Sequence, residues 1–186
     1  MFGGLTLALM VAASRPAIEP PTKKERFVAA KALQDAPPPA PTEVLRVVYA
    51  RNLHTHEVMP LEGPGVRPDA YDRFFRCWFT TESSSIPREL VTRILAAAHT
   101  FESRHVRIIS GYRHLKYNKM LRKKGREVAL KSQHTQGHAI DFNLAGVSIK
   151  QLYPWLLREH RGGVGVYRRS GFVHIDTGRK RTWSGS

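Results

Sequence analysis

Hydrophobic and polar positions recur along this chain with two different periods. In Ala139-Ile140-Asp141-Phe142 the apolar Ile140 and Phe142 share one face and Asp141 takes the other. In Phe172-Val173-His174-Ile175-Asp176 the pair Val173 and Ile175 opposes His174 and Asp176. Period two reads as strands over 139–143 and 172–176, with Asp141, His174 and Asp176 looking out of the core. After Pro87, which can open a helix, Leu90, Val91, Ile94, Leu95, Ala98 and Phe101 return at helical spacing. Further strands are expected at 44–49, at 106–109 before the turn Ser110-Gly111, and at 164–167 after Gly162-Gly163. The stretch 113–131 reads as a strongly basic helix, a solvated face or a surface that draws in substrate. Another helix follows Ser148, where Gln151 completes a capping box and Pro154 is expected to deny a clean second turn. Strands and helices without strict alternation predict an α+β fold, a small, mostly antiparallel sheet flanked by helices.

Composition divides the 186 residues into three parts. Residues 1–14 form an apolar, signal-like segment with no charged side chain, too short to span a bilayer and lacking the basic start of a full signal. Seven of the twelve prolines fall in 15–43, which reads as an extended tether with at most one short helix near 24–33. The folded, catalytic part is expected over 44–186, acting as a monomer. Thirty Lys and Arg against fifteen acids, a formal +15, favour polyanionic partners without choosing among them. A single cysteine, Cys77, leaves histidines and carboxylates as the only means of building a metal site.

Candidate chemistry sits on the polar faces of the two patterned strands. Gly137 can make the turn that brings His134 back over Asp141, so that His134, Asp141 and His174 form a three-ligand site with a corner left for water. Such an open site is the catalytic zinc pattern and points to hydrolysis. With nine histidines in the chain, spacing alone also allows each to be an ordinary surface or hydrogen-bonded residue.

Ser132-Gln133-His134-Thr135-Gln136-Gly137-His138-Ala139-Ile140-Asp141 resembles the Ser-x-His-x-x-Gly-x-Ala-x-Asp signature of the zinc D-alanyl-D-alanine peptidases and their hedgehog-like relatives. Four more blocks, Asn52-Leu53-His54-Thr55, Ser110-Gly111-Tyr112-Arg113, 162–167 and 171–178, are similar to the murein endopeptidase K branch. The resemblance implies a periplasmic or exported, wall-associated enzyme that hydrolyses peptide crosslinks of peptidoglycan, with Zn2+ on His134, Asp141 and His174. By the same resemblance Arg113 binds a substrate carboxylate or the oxyanion of the tetrahedral intermediate, with Tyr112 and Ser132 beside it as substrate contacts. Many relatives carry an acid three residues before the last histidine ligand, where this chain has Gly171. Asp176 is therefore the candidate general base, with orientation of a ligand as its rival role. His138 falls with Ile140 and Phe142 and is read as structural.

Other readings are a D,D- or L,D-carboxypeptidase trimming stem peptides and a non-catalytic zinc-containing wall-binding module. A nucleic-acid binder has only the charge to support it, and no such partner is expected. An iron oxygenase built on His174-Ile175-Asp176 lacks the downstream histidine it would need.

Overall fold

The structure is a computed structural model that describes residues 22–23, 47–125, 128–129 and 131–185. The expectations for 1–14, for the tether at 15–43 apart from Thr22 and Lys23, and for a helix at 24–33 lie outside the described residues. Leu45–Ser186 forms one compact unit.

Seven strands make a single sheet, β1 Tyr49–Asn52, β2 Val58–Pro60, β3 His105–Ser110, β4 Ala139–Leu144, β5 Gly163–Tyr167, β6 Phe172–Asp176 and β7 Arg181–Gly185. Their order is β2-β1-β3-β4-β6-β5-β7. Four pairings are antiparallel, and β1 with β3 and β5 with β7 are parallel. Among the described residues four helices accompany the sheet, α1 Pro68–Phe74, α2 Arg88–Thr100, α3 Leu115–Lys123 and α4 Ile149–Glu159. The expected α+β class and mostly antiparallel sheet are what the protein has.

The core lies between the helices and one face of the sheet. Leu90, Val91, Ile94, Ala97 and Ala98 of α2 and Leu152, Trp155 and Leu156 of α4 pack with Ile108, Ile140, Phe142, Val173 and Ile175. Each Leu, Ile, Val or Phe side chain among them, fully withdrawn from water, contributes about 1.5–3 kcal/mol. That face is saturated with apolar side chains, so all polar residues of β4 and β6 at the alternate positions are left to the opposite face.

Some elements differ from expectation for identifiable reasons. The first strand is Tyr49–Asn52, later than 44–49, because Ala50 pairs in register with Val106 and Met59. Residues 44–46 lie outside the described residues. The basic helix covers only Leu115–Lys123. It starts late because His114 is non-helical, its ring accepting from the Lys116 N–H, and it stops as Gly125 turns to φ 72°. Pro154 sits inside α4 without ending it. The missing N–H removes one helical hydrogen bond, but burial of Leu152, Trp155 and Leu156 offsets a cost of about 3 kcal/mol. The capping box of Ser148 and Gln151 is formed as expected. Strands β2 and β7 and helix α1 are additions to the predicted elements.

Candidate metal centre

Strand register brings the chemistry into line. Ser110 of β3 stands opposite Asp141 of β4, Asp141 opposite His174 of β6, His174 opposite Gly165 of β5, and Gly165 opposite Trp183 of β7. Directly opposed residues in neighbouring strands share a face, so these five form one row across the sheet. A register shift between Ile108 and Ser110 puts Ser110, instead of Ile109, beside Asp141. Gly165 is the gap in the row. A Cβ there would lie 2.5 Å from Cε2 of Trp183, and its absence lets the indole lean against the His174 ring at a centroid distance of 4.9 Å.

His134 reaches the row from above, on a 3-10 turn spanning Gln133–Gln136. Gly137 ends that turn at φ 78°, a left-handed conformation that other residues adopt only with strain, and a Cβ on it would meet the Ser85 carbonyl oxygen at 2.6 Å. His134 Nε2 lies 3.1 Å from Asp141 Oδ2 and 3.1 Å from His174 Nδ1, and His174 Nδ1 lies 2.8 Å from Asp141 Oδ1. One ligand atom from each of the three residues falls within 4.8 Å of the others, and all three side chains are buried. Alternation is right that Asp141 and His174 avoid the helical core, but they are not exposed. They lie beneath a second, polar interior.

The hydrogen bonds decide which ring nitrogens are free. His134 Nδ1 is 2.7 Å from the Gly111 carbonyl oxygen, which can only accept, so Nδ1 carries the hydrogen and Nε2 presents a lone pair. His174 Nε2 is 2.9 Å from Asp176 Oδ2, which fixes the opposite tautomer and turns the Nδ1 lone pair inward. Two imidazole lone pairs and a carboxylate therefore converge on one point, an arrangement that repels itself unless a cation stands between them. A divalent metal ion fits this donor set.

Titration behaviour follows from the same geometry. Burial opposes ionisation of Asp141, but its contacts and hydrogen bonds with His134 and His174 outweigh it and hold its carboxyl far below the usual range. Burial pushes His134 down and keeps it neutral. Burial acts the same way on His174, yet hydrogen bonds to Asp141 and Asp176 prevail and raise its pKa, so the ring holds a proton more readily than a free imidazole.

Arg113 is buried, with Nη2 3.3 Å from Asp141 Oδ2 and 3.2 Å from Ser110 Oγ, while its Nε is buried without a hydrogen-bond partner. Its own N–H donates to the His134 carbonyl, tying the turn that carries the first imidazole to the end of β3. Asp176 lies behind His174 and is fully buried. Oδ2 accepts from His174 and from Arg181 Nη2 at 2.6 Å, and Oδ1 accepts from Arg181 Nη1 at 3.0 Å and from the N–H groups of Gly178 and Gly163. Burial disfavours its charge, but the hydrogen bonds from His174 and Arg181 prevail and hold its carboxyl well below the ordinary range.

The centre opens into a cleft of about 950 Å³ that Arg113, Ser132, His134, Asp141, His174 and Trp183 help to line. Ser132 stands at its edge, before the turn that carries His134. Tyr112 is not brought into the cleft lining. Its backbone N–H donates to the Phe75 carbonyl and its ring packs against the helical core, because the chain turns between Ser110 and Arg113. Arg181 and Trp183 at this cleft were not singled out by sequence patterns, and His54 was marked only as part of the block Asn52-Leu53-His54-Thr55. Arg181 and Trp183 are two apart on β7 and share a face, with the guanidinium 4.9 Å from the indole centroid, a signal hidden by the shortness and polarity of that strand.

The family described as peptidoglycan L,D-endopeptidase MepK matches residues 42–183. The peptidoglycan L,D-endopeptidase MepK of Escherichia coli strain K12 is 37% identical over 145 residues, covering 74% of this chain and 80% of the relative, and that of Shigella flexneri gives the same values. A probable peptidoglycan L,D-endopeptidase MepK of Haemophilus influenzae is 44% identical over 80 residues, 43% of each chain. No solved structure matches the chain. Matched along most of its length, and carrying a buried His-Asp-His cluster within the matched region, the chain belongs to the peptidoglycan L,D-endopeptidase MepK family.

Proposed function

We propose that this protein is a zinc-dependent endopeptidase that hydrolyses L,D peptide crosslinks of peptidoglycan in the cell envelope, as an exported or periplasmic enzyme. The observation that carries the reading is the convergence of two imidazole lone pairs and one carboxylate at the floor of an open cleft, in a chain of this family. A mixed nitrogen and oxygen donor set of three, with the cleft side open, suits catalytic zinc. Held there by His134, Asp141 and His174, the ion supplies Lewis-acid polarisation of the scissile carbonyl and makes water more acidic.

The chain's own residues account for the remaining requirements. Arg113 is the anchor for a substrate carboxylate or the developing oxyanion, supported by its position in the cleft and its unpartnered Nε. For Asp176 the orienting role is favoured over that of base, because both of its oxygens are engaged and none faces water. It holds the His174 ring in the tautomer that turns Nδ1 toward the centre. Ser132 is in place to contact substrate at the cleft edge. Among the described residues no helix is long and apolar enough to cross a membrane.

Digestion of purified sacculi, read by mass spectrometry of the released peptides, tests the reading. Crosslinked dimers should be cut by the zinc-loaded protein, spared in chelator, and spared by His134→Ala. Dimers cut at the wild-type rate by His134→Ala would overturn it.

A further inference from the structure

If the carboxylate of Asp176 is committed elsewhere and Gly171 supplies no acid, another group must move the proton during peptide hydrolysis. Among the described residues that line the cleft, the only carboxylates are Asp141 and Asp176, and the only imidazole outside the metal cluster is His54. From these positions we propose that His54 is the general base and acid of the reaction, an assignment that rests on the peptidase reading above.

His54 is held in a built turn. Buried Asn52 uses its side-chain oxygen to accept from the N–H groups of His54 at 3.0 Å and Thr55 at 3.2 Å, and its side-chain NH2 donates to the Phe74 carbonyl. Glu57 closes the turn through two hydrogen bonds from Arg76, at 2.8 and 3.1 Å. The imidazole stacks on Trp78 at 5.0 Å with planes 17° apart, and Trp78 is braced edge-on by Phe79 and Tyr117. A proton-transfer group gains from such restraint, because its reach to the reacting atoms is fixed before substrate arrives.

Its position relative to the metal centre follows from β3. The Leu53 N–H donates to the Ile108 carbonyl at 2.9 Å, which sets His54 beside the end of β3, close in sequence to the Gly111 carbonyl that holds His134. Both imidazoles therefore approach from the same end of β3 and line the same cleft. Partial burial lowers the His54 pKa, the Ile109 hydrogen bond opposes this, and the facing charges of Arg113 and His56 lower it further. A neutral imidazole carries one nitrogen with a lone pair free to accept.

In the reaction, the oxygen of a water bonds to the scissile carbonyl carbon while one of its protons moves to the free nitrogen of His54. As the C–N bond breaks, the amine nitrogen leaves with the electron pair and takes that proton, returning His54 to its neutral form. Water is the only co-reactant.

The test uses the zinc-loaded protein on a purified crosslinked muropeptide dimer, with zinc content, kcat and KM followed against pH. His54→Gln should keep one zinc per chain and a KM within threefold of wild type, while kcat falls about 100-fold or more and the acid limb of the kcat/KM profile disappears. His54→Gly should regain at least tenfold in rate with added imidazole, which a purely structural residue would not allow. Retention of activity within threefold by His54→Gln, loss of zinc together with activity, or an unchanged acid limb would each overturn the assignment while leaving the peptidase reading intact. His134→Ala turning over at the wild-type rate would instead overturn both.

Discussion

Replacing Asp176 by Asn tests the wiring of the centre more sharply than removing a ligand does. Asp176 accepts from donors on both oxygens, His174 Nε2 and Arg181 on one side and the Gly163 and Gly178 N–H groups with Arg181 on the other. An amide of the same shape offers one accepting oxygen only. If that oxygen faces the two glycine N–H groups, the NH2 faces His174 Nε2 and forces its proton to Nδ1, 2.8 Å from Asp141, where the metal-binding lone pair had been. If the amide is reversed, the NH2 collides with two backbone donors in a fully buried site. Either outcome should weaken zinc binding by about 10- to 100-fold, roughly 1.4–2.8 kcal/mol. Competition with a chromophoric chelator measures it, with thermal unfolding of the metal-free variant as control for loss of fold. A folded Asp176→Asn protein that binds zinc within threefold of wild type would refute the tautomer argument.

Two further outcomes follow from the site. In the metal-free protein the raised pKa of His174 contributes stability that is full below the unfolded value of about 6.5 and lost as pH rises through the folded value. A metal ion bound there would compete with that same proton, so the affinity for added zinc should rise with pH across that window and begin to fail on acidification above pH ~6.5; isothermal titration at several pH values would expose a flat profile as a contradiction. Gly165→Ala should destabilise the fold by about 1–3 kcal/mol in urea denaturation, because the new methyl meets the Trp183 ring at 2.5 Å, and an unchanged midpoint would show that β7 yields freely.

Much of this centre could be read from the residues, and the reason is local. The alternation of Ile140 and Phe142 against Asp141, and of Val173 and Ile175 against His174, depends only on strand geometry, which the sheet preserves. What alternation could not convey is that both faces are covered. Burial of the polar face comes from the His134 turn, Arg113 and Trp183, all contributed by distant segments. The same holds for β7, whose partner β5 lies parallel to it, and for β2, three residues long and paired only with β1. Helix α1 did carry a signal in Pro68 followed by Asp69, a usual way to open a helix. The basic stretch 113–131 was overextended because charge density carries no stop signal, whereas Gly125 does.

The two imidazoles are tethered through different ring positions, and this sets how the centre can yield. Counted in bonds from the backbone, Nδ1 of His174 is as near its Cα as a carboxylate oxygen of Asp141 is to its own, so β6 and β4 offer arms of equal, short reach from a hydrogen-bonded floor. His134 extends one atom further, through Nε2, from a four-residue turn. A cation of larger or smaller radius would thus be accommodated by tilting the long arm, while the two short ones keep its height above the sheet.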